Sequence, residues 1–588
     1  MLKQLLTFIL FGSLGYAILA SDDFKVIASG IAIFMVGMYF MEEGFKAFAG
    51  GILERFLEKT TDTLLKAIFS GFFVTSIVQS SSLVTVIAIS FLSADLIGLA
   101  QAIGIVFGSN IGTTTTAWIV ATLGVKVKIA YYAMPMLIFG VVLRFMKAKT
   151  PQGIGTVLLG LGFVFLGISY MKEGFDTLKA GIDLAEFAIP GMMGILIYIL
   201  VGAVATIVIQ SSSATMAIII TALASGQIIY INALALAIGA NIGTTVTAVI
   251  GSLASNENGK RLAVAHVIFN VVTAVIAIVL IHQLAALVDL SAKYIGISED
   301  DYVMKLALFH TFFNIIGVLA VAPFAKQMVR VLEQRFIRKE ESAQPKYLDN
   351  AVIEMAEPAL AAIQKETERL YDKSIKAVAH ALQLHRHDIW SDRPIGEVVT
   401  ASTQTIPIDV DSYYQKNIKG LYGEILKFST MAQVVMEHED QRRTYELKLA
   451  NRDIVEALKD VRELQKNIAR YIKSPNTYVQ REYNMTRKTI ATLLRGIENV
   501  RQKPNDILAV TQVEVIKQDV QEMDEDANRR IDELVRNDKI TTHMATSLMN
   551  DSAIAYDIVE NLLEMATILW IKDADIRRIG LAHDKEKE

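Results

Sequence analysis

Apolar stretches and polar interruptions alternate along the first 339 residues of the chain. Stretches that approach the length needed to cross about 30 Å of hydrocarbon lie around residues 4–20, 26–41, 129–145, 153–171, 261–287 and 303–325. This pattern predicts a polytopic membrane domain. We interpret the first stretch as an uncleaved span, the alternative being a signal peptide.

Two further regions, about 66–124 and 191–253, are apolar but rich in Gly, Ser, Thr and Asn. Polar groups and helix breakers occur at membrane depth only where they are buried in protein or line a cavity. We therefore expect each region to form a re-entrant hairpin followed by an interrupted helix.

From about residue 345 the pattern becomes that of amphipathic helices with exposed charge. Periodic runs cover roughly 346–388, 409–438, 441–472, 477–501, 506–536 and 540–572. These runs predict a helical bundle. The expected fold is therefore all-α, with a membrane domain over residues 1–339 and a soluble bundle over residues 340–588.

Charge is distributed unevenly between these two parts. The first 339 residues contain 40 charged side chains, and the remaining 249 contain 78. Lys and Arg near span ends mark the cytoplasmic side, which assigns Arg144–Lys149 and Lys326–Lys339 to the cytoplasm and the acidic loop Asp289–Asp301 to the opposite side. We expect a multi-pass protein of the plasma (inner) membrane whose C-terminal domain is cytoplasmic, with the lipid bilayer as a partner and no nucleic acid.

The strongest signal is an internal repeat, placed at about residues 30–125 and 160–255. MEEGFKAFAGGI from Met41 recurs as MKEGFDTLKAGI from Met171, an offset of 130 residues. IVQSSS from Ile77 and GSNIGTT from Gly108 recur as VIQSSS and GANIGTT, both at an offset of 131. Repeated membrane halves with interruptions at matching positions are typical of secondary carriers, whose site lies where the repeats meet. We favour inverted over parallel repeats because alternating access needs similar gates on opposite sides.

A weaker repeat follows. RLAVAHVIFN from Arg261 recurs as KLALFHTFFN from Lys305, so that His266 and Asn270, like His310 and Asn314, share a helix face. We interpret the two histidines as bonding across helices.

The repeated polar motifs suggest an ion-binding centre. A helix that starts within Gln-Ser-Ser-Ser directs free N–H groups and its positive dipole end at an anion, and hydroxyl and amide oxygens suit Na⁺. No Lys or Arg lies between residues 79 and 116 or between 210 and 248. An anion there would be held by neutral donors and co-bound cations, so each ion would complete the other's site.

Paired Gln-Ser-Ser-Ser motifs, each followed by Gly-x-Asn-Ile-Gly-Thr-Thr, resemble the type II sodium–phosphate cotransporter family over about residues 30–325. The resemblance implies an inverted-repeat fold, inorganic phosphate as substrate and Na⁺ as coupling ion. The residues that it places in the phosphate and sodium sites are Gln79, Ser80, Ser81, Ser82, Asn110, Thr113, Thr114, Gln210, Ser211, Ser212, Ser213, Asn241, Thr244 and Thr245. Animal members carry a large cysteine-bearing loop between the halves; this chain has a short connection and no cysteine.

The C-terminal part is similar to the PhoU regulatory domains that accompany bacterial phosphate transport. Glu368 and Asp372 fit the spacing E-x-x-x-D, which puts two carboxylates on one helix face and makes them candidate metal ligands. Solvated surface carboxylates are the alternative interpretation.

The favoured function is a sodium-coupled phosphate transporter with a regulatory C-terminal domain. A phosphate exporter, a carrier of another small oxyanion and a non-transporting phosphate sensor remain open, as does assembly into a homodimer. An enzyme is not expected because the serines have no positioned base in their own motifs.

Overall fold

The computed structural model describes residues 12, 15, 16, 20–124, 130–181, 184–252, 255–336, 343–353, 355–503 and 507–571. Within these residues every regular element is helical, which confirms the all-α prediction. The apolar stretch around residues 4–20 lies almost entirely outside them. The chain forms two compact units, one of Met1–Arg338 with Asp349–Ala351 and one of Lys339–Leu348 with Val352–Glu588.

The described α-helices of the first unit are numbered here in chain order. They are α1 Asp22–Thr60, α2 Leu64–Val78, α3 Ser81–Ser93, α4 Leu99–Gly112, α5 Thr114–Ile119, α6 Ala130–Arg144, α7 Lys149–Gly181, α8 Gly191–Ile209, α9 Ser212–Ala224, α10 Tyr230–Ser252, α11 Glu257–Val279, α12 Ile281–Ile295, α13 Tyr302–Val321 and α14 Ala325–Arg335. A short π-helix, Val120–Gly124, follows α5.

Seven helical segments of this unit are long and apolar enough to cross a membrane. They are 22–47, 99–122, 149–179, 191–209, 230–250, 257–279 and 302–335. The helices α2, α3, α6 and α9 are apolar but shorter. These lengths support the prediction of a multi-pass membrane protein.

Helices α1 and α7 pack closely through glycines spaced seven residues apart. A Cβ at Gly30 would lie 2.8 Å from the carbonyl oxygen of Gly167, and one at Gly37 would lie 2.7 Å from that of Gly160. As residue numbers rise along α1 they fall along α7, so the helices are antiparallel. Adding the repeat offset of 130 converts Gly30 into Gly160 and Gly37 into Gly167. Each contact is therefore the repeat-related counterpart of the other.

Glycines also join each hairpin to the helix that follows it. A Cβ at Gly108 of α4 would lie 1.8 Å from the carbonyl oxygen of Ile68 in α2, and one at Gly239 of α10 would lie 2.0 Å from that of Ile199 in α8. Small residues of this kind let membrane helices approach closely. The two repeats thus share one packing scheme.

The prediction of an interrupted helix after each hairpin needs correction. After the first hairpin, α4 ends at Gly112 and α5 begins at Thr114. After the second, α10 continues through Asn241–Thr245 without a break, so the prediction is wrong there. The glycines of this stretch serve close packing, since a Cβ at Gly243 would lie 2.6 Å from the Cβ of Thr206.

The second unit consists of amphipathic helices. They are α15 Ala356–Ala381, α16 Arg386–Ile389, α17 Ile395–Ala401, α18 Val410–Asn417, α19 Lys419–Ala432, α20 His438–Tyr471, α21 Thr477–Gln502, α22 Ile507–Arg536 and α23 Thr542–Trp570. The run predicted over 346–388 forms one long helix that ends at Ala381, and the run predicted over 409–438 is interrupted at Ile418.

A buried arginine organises the loop after α15. Arg487 of α21 is 1% exposed and donates hydrogen bonds to the backbone carbonyls of Leu382, Gln383, Val399 and Ser402 and to the side chain of Asn484. Burial lowers the pKa of its guanidinium to about 10. The loop carbonyls thus obtain their partners from one side chain, as buried acceptors require.

Candidate functional site

The first Gln-Ser-Ser-Ser motif lies at the break between α2 and α3. Gln79 ends α2 in the left-handed conformation, with φ at 60°. Ser80 is the N-cap residue of α3, and its Oγ accepts a hydrogen bond of 3.2 Å from the backbone N–H of Leu83. The serine hydroxyl therefore caps the helix that starts at the motif.

The second motif repeats this geometry. Gln210 ends α8 with φ at 58°, and the Oγ of Ser211 accepts a hydrogen bond of 3.2 Å from the N–H of Ala214 in α9. Each motif thus offers the N-terminus of a short helix, where free N–H groups and the helix dipole favour an anion.

Thr116 connects the two motifs. Its Oγ1 donates a hydrogen bond of 2.7 Å to Oε1 of Gln79 and lies 3.3 Å from Oγ of Ser213. The Gln79 amide also donates to Oγ1 of Thr115 at 2.8 Å. Gln79, Thr116 and Ser213 are 4%, 4% and 7% exposed. The structure therefore brings residues of both motifs into one buried polar centre.

The two motifs contribute different members to that centre. In the first, Gln79 is buried whereas Ser82 is exposed. In the second, Ser212 and Ser213 are buried whereas Gln210 is exposed. Ser80, Ser81 and Ser211 are partly buried. The equivalence of the backbones therefore does not extend to side-chain burial.

The asparagines of the two Asn-Ile-Gly stretches have different partners. Nδ2 of Asn241 donates to Oδ1 of Asn270 at 3.3 Å and of Asn314 at 3.0 Å. Nδ2 of Asn110 lies 3.4 Å from Nε2 of His266. Because His266 and Asn270 are one turn apart on α11, this helix contacts the asparagine of each repeat. The predicted bonding of His266 across helices is confirmed.

The hydroxyls of the four threonines in the predicted site donate to carbonyls of their own helices. The hydroxyls of Thr113 and Thr114 donate to carbonyls three residues back, both at 2.7 Å. Those of Thr244 and Thr245 do the same at 2.6 and 2.7 Å. These hydroxyl protons are in use, so the oxygens can offer only lone pairs, which suit a cation.

Sequence reasoning missed two residues of this site. Thr116, the fourth threonine of its run, lies outside the predicted set. Glu42 of α1 accepts a hydrogen bond of 3.2 Å from Oγ of Ser80. The signal was present, because Glu42 belongs to the first repeated segment; neighbouring Glu43 is exposed.

The candidate metal ligands of the second unit have other partners. Asp372 forms an ion pair with Arg501, whose two terminal nitrogens lie 2.5 and 2.9 Å from its oxygens. Glu368 accepts a hydrogen bond of 3.3 Å from Gln364. The described part of the chain contains no group of three His, Cys, Asp or Glu side chains able to hold a metal ion. The metal role of the pair stays a prediction.

These features define a polytopic membrane protein whose two repeats meet at a buried polar centre. The sequence profile of the family described as Na⁺/Pi-cotransporter matches residues 33–173 and 192–299. The uncharacterized protein YqeW of Bacillus subtilis is 31% identical over 303 residues, which is 51% of this chain and 94% of that protein. The chain belongs to this family.

Two further relatives carry functional names. "Putative inorganic phosphate export protein YjbB" of Salmonella typhimurium is 29% identical over 373 residues, 60% of this chain and 65% of that protein. Its namesake in Escherichia coli K12 is 29% identical over 359 residues, 59% of this chain and 62% of that protein. The chain thus spans less than two thirds of the length of these relatives. No solved structure matches the chain.

Proposed function

We propose that this chain is a secondary transporter that moves inorganic phosphate together with Na⁺. The observation that carries the proposal is the placement of Thr116 between Gln79 and Ser213, which unites the two motifs in one centre. Phosphate as the substrate rests on the family description and on the names of the relatives.

The two ions would share this centre. The starts of α3 and α9 supply N–H groups to phosphate, and hydroxyl oxygens of the motif serines and of Thr113, Thr114, Thr244 and Thr245 supply ligands to Na⁺. The absence of Lys and Arg from residues 79–116 and 210–248 leaves Na⁺ as the compensating charge. Phosphate and Na⁺ would then raise each other's affinity by one common factor.

We propose that the two repeats are inverted relative to each other. Helices α1 and α7 occupy equivalent positions in the two repeats, yet they run antiparallel and make mutually swapped contacts through Gly30–Gly167 and Gly37–Gly160. If both helices cross the membrane, the axis that relates the repeats lies in the membrane plane. Alternate opening of the two hairpins then gives access from the two sides.

The same arrangement supports a cytoplasmic second unit in the inner membrane. With α8–α9 as a re-entrant hairpin, the helices α7, α10, α11 and α13 cross four times between Lys149 and α14. An even number of crossings returns the chain to its starting side. Both basic clusters then lie on one side, which the positive-inside rule identifies as the cytoplasm. We further propose that this PhoU-like unit regulates transport by favouring one conformation of the carrier.

Export is the second candidate because two relatives are named as exporters. The test is radiolabelled phosphate flux in proteoliposomes with Na⁺ gradients of either direction. Coupled transport requires phosphate to follow the Na⁺ gradient in both orientations, whereas Na⁺-independent efflux would favour export by another mechanism. Phosphate binding without flux under any gradient would indicate a sensor and refute transport. Removing the chain after residue 351, which keeps Asp349–Ala351 with the first unit, should preserve flux while abolishing its response to internal phosphate.

A further inference from the structure

Glu42 brings a negative charge to a motif that contains none. The residue lies on α1, and Oε2 accepts a hydrogen bond of 3.2 Å from Oγ of Ser80. Its other carboxylate oxygen lies 3.1 Å from Nζ of Lys46, one turn along the helix. The Glu42 side chain is 33% exposed, and its carboxylate contacts the first motif through one oxygen and the ammonium group of Lys46 through the other.

The repeat places opposite charges at the equivalent positions. With the offset of 130, Glu42 corresponds to Lys172, and Lys46 corresponds to Asp176. The pair Glu42–Lys46 therefore has its signs reversed in the second repeat. Because the surrounding Met, Gly and Phe are retained in both segments, the two halves differ here in charge and not in framework.

A carboxylate beside Ser80 is poorly placed for a bare phosphate. The start of α3 attracts anions, and two anions at one helix start repel each other. A cation between them converts the repulsion into two attractions. Carboxylate and hydroxyl oxygens are hard ligands of the kind that such a cation takes.

We propose that Glu42 is a ligand of the coupling cation at the first motif, with Ser80 as its hydroxyl partner. Cation binding would replace the hydrogen bond from Ser80 to Glu42, with the hydroxyl lone pairs turned toward the ion. From there a short series of contacts runs through Gln79 and Thr116 to Ser213 of the second motif. The inference rests on the proposed coupling to Na⁺ and adds a carboxylate ligand from the first repeat.

Substitution of Lys46 distinguishes a cation site at Glu42 from an ion pair that only stabilises α1. Its ammonium group competes with the cation for the same carboxylate. Removing Lys46 should therefore tighten Na⁺ binding, whereas removing Glu42 should weaken it. If the pair merely stabilised α1, both substitutions would act in the same direction.

The experiment measures phosphate flux against Na⁺ concentration for the full chain in proteoliposomes. We expect Glu42→Gln to raise the half-saturating Na⁺ concentration at least tenfold and Lys46→Gln to lower it, with the phosphate KM at saturating Na⁺ unchanged. Glu43→Gln is the matched control, because it makes the same change one residue away at an exposed position and should stay within twofold of the wild type.

Thermal stabilisation of the purified chain by NaCl, measured against choline chloride without phosphate, gives a readout that does not need transport. A bound cation raises the midpoint of unfolding by mass action, and Glu42→Gln should lose that rise. A wild type that is stabilised by Na⁺ but carries no phosphate would refute the proposed function and leave the cation site standing. Wild-type Na⁺ dependence in Glu42→Gln, or a changed pH dependence alone, would overturn the assignment. If Glu42→Gln does not fold, an unchanged or raised half-saturating Na⁺ concentration in Lys46→Gln would overturn it equally.

Discussion

Substituting Thr116 by Val tests whether the contact between the motifs matters for transport. Valine keeps the shape of threonine and removes the hydroxyl that donates to Gln79 at 2.7 Å and lies 3.3 Å from Ser213. Both partners are buried. Depriving a buried acceptor of its donor costs about 1–3 kcal/mol, which is roughly a 5- to 150-fold change in an equilibrium constant.

The assay is the initial rate of Na⁺-driven phosphate flux at subsaturating phosphate. Thr116→Val should lower this rate by about that factor, and Thr116→Ser should restore most of it. Thr221→Val is the control, since this buried hydroxyl donates at 2.6 Å to a carbonyl of its own helix. Equal rates for Thr116→Val and the wild type would refute the view that the two motifs act as one centre.

Three further substitutions test the packing and the second unit. Gly108→Ala should prevent folding, because the added Cβ would lie 1.8 Å from a backbone oxygen, and the monodisperse peak in size-exclusion chromatography should be lost. Gly423→Ala is the control and should keep that peak, because nothing lies within 4 Å of its added Cβ. Arg487→Met should destabilise the second unit by about 3 kcal/mol or more in thermal unfolding, because several buried carbonyls lose their donor; an unchanged midpoint would contradict this. Burial and the charge of Asp557 raise the pKa of Asp460 to about 6. The folded state therefore binds this proton more tightly than the unfolded state does. Because of this difference, the stability of the fold falls as the pH rises from the ordinary pKa of 3.8 through about 6. Asp460→Asn should therefore raise the unfolding midpoint at pH 8 and lose this advantage near pH 4; an equal gain at both values would refute the cause.

Helices with a clear periodic pattern were predictable from the sequence. The runs over 441–472, 477–501 and 540–572 correspond to helices 438–471, 477–502 and 542–570. The end of α15 at Ala381 was not predictable, because the loop is held by Arg487, more than a hundred residues later. The glycines of α10 were misinterpreted for a related reason: glycine signals close packing as well as unwinding, and only the neighbouring helix decides which.

The repeated motifs of the candidate site were predictable from the sequence, whereas the contributions of Thr116 and Glu42 were not. Equal spacing identified the two Gln-Ser-Ser-Ser motifs and their helix breaks. Nothing in the sequence distinguished Thr116 from Thr113 or Thr114, because the choice depends on which helix face meets Ser213. Glu42 escaped notice because its counterpart in the second repeat is Lys172, and a search for similarity passes over a position where the charge has been reversed.

The swapped contact between α1 and α7 has the symmetry of an interface between two identical subunits, in which residue i meets j and j meets i. If the repeats are inverted, as we propose, it is the contact that an ancestral half-length protein would make with a second copy of itself inserted in the opposite orientation. In such an ancestor every substitution appears on both sides of the bilayer at once. Joining the halves into one chain lets the two repeats diverge, and the carboxylate at position 42, where the second repeat has the ammonium of Lys172, is a difference that two identical copies cannot have.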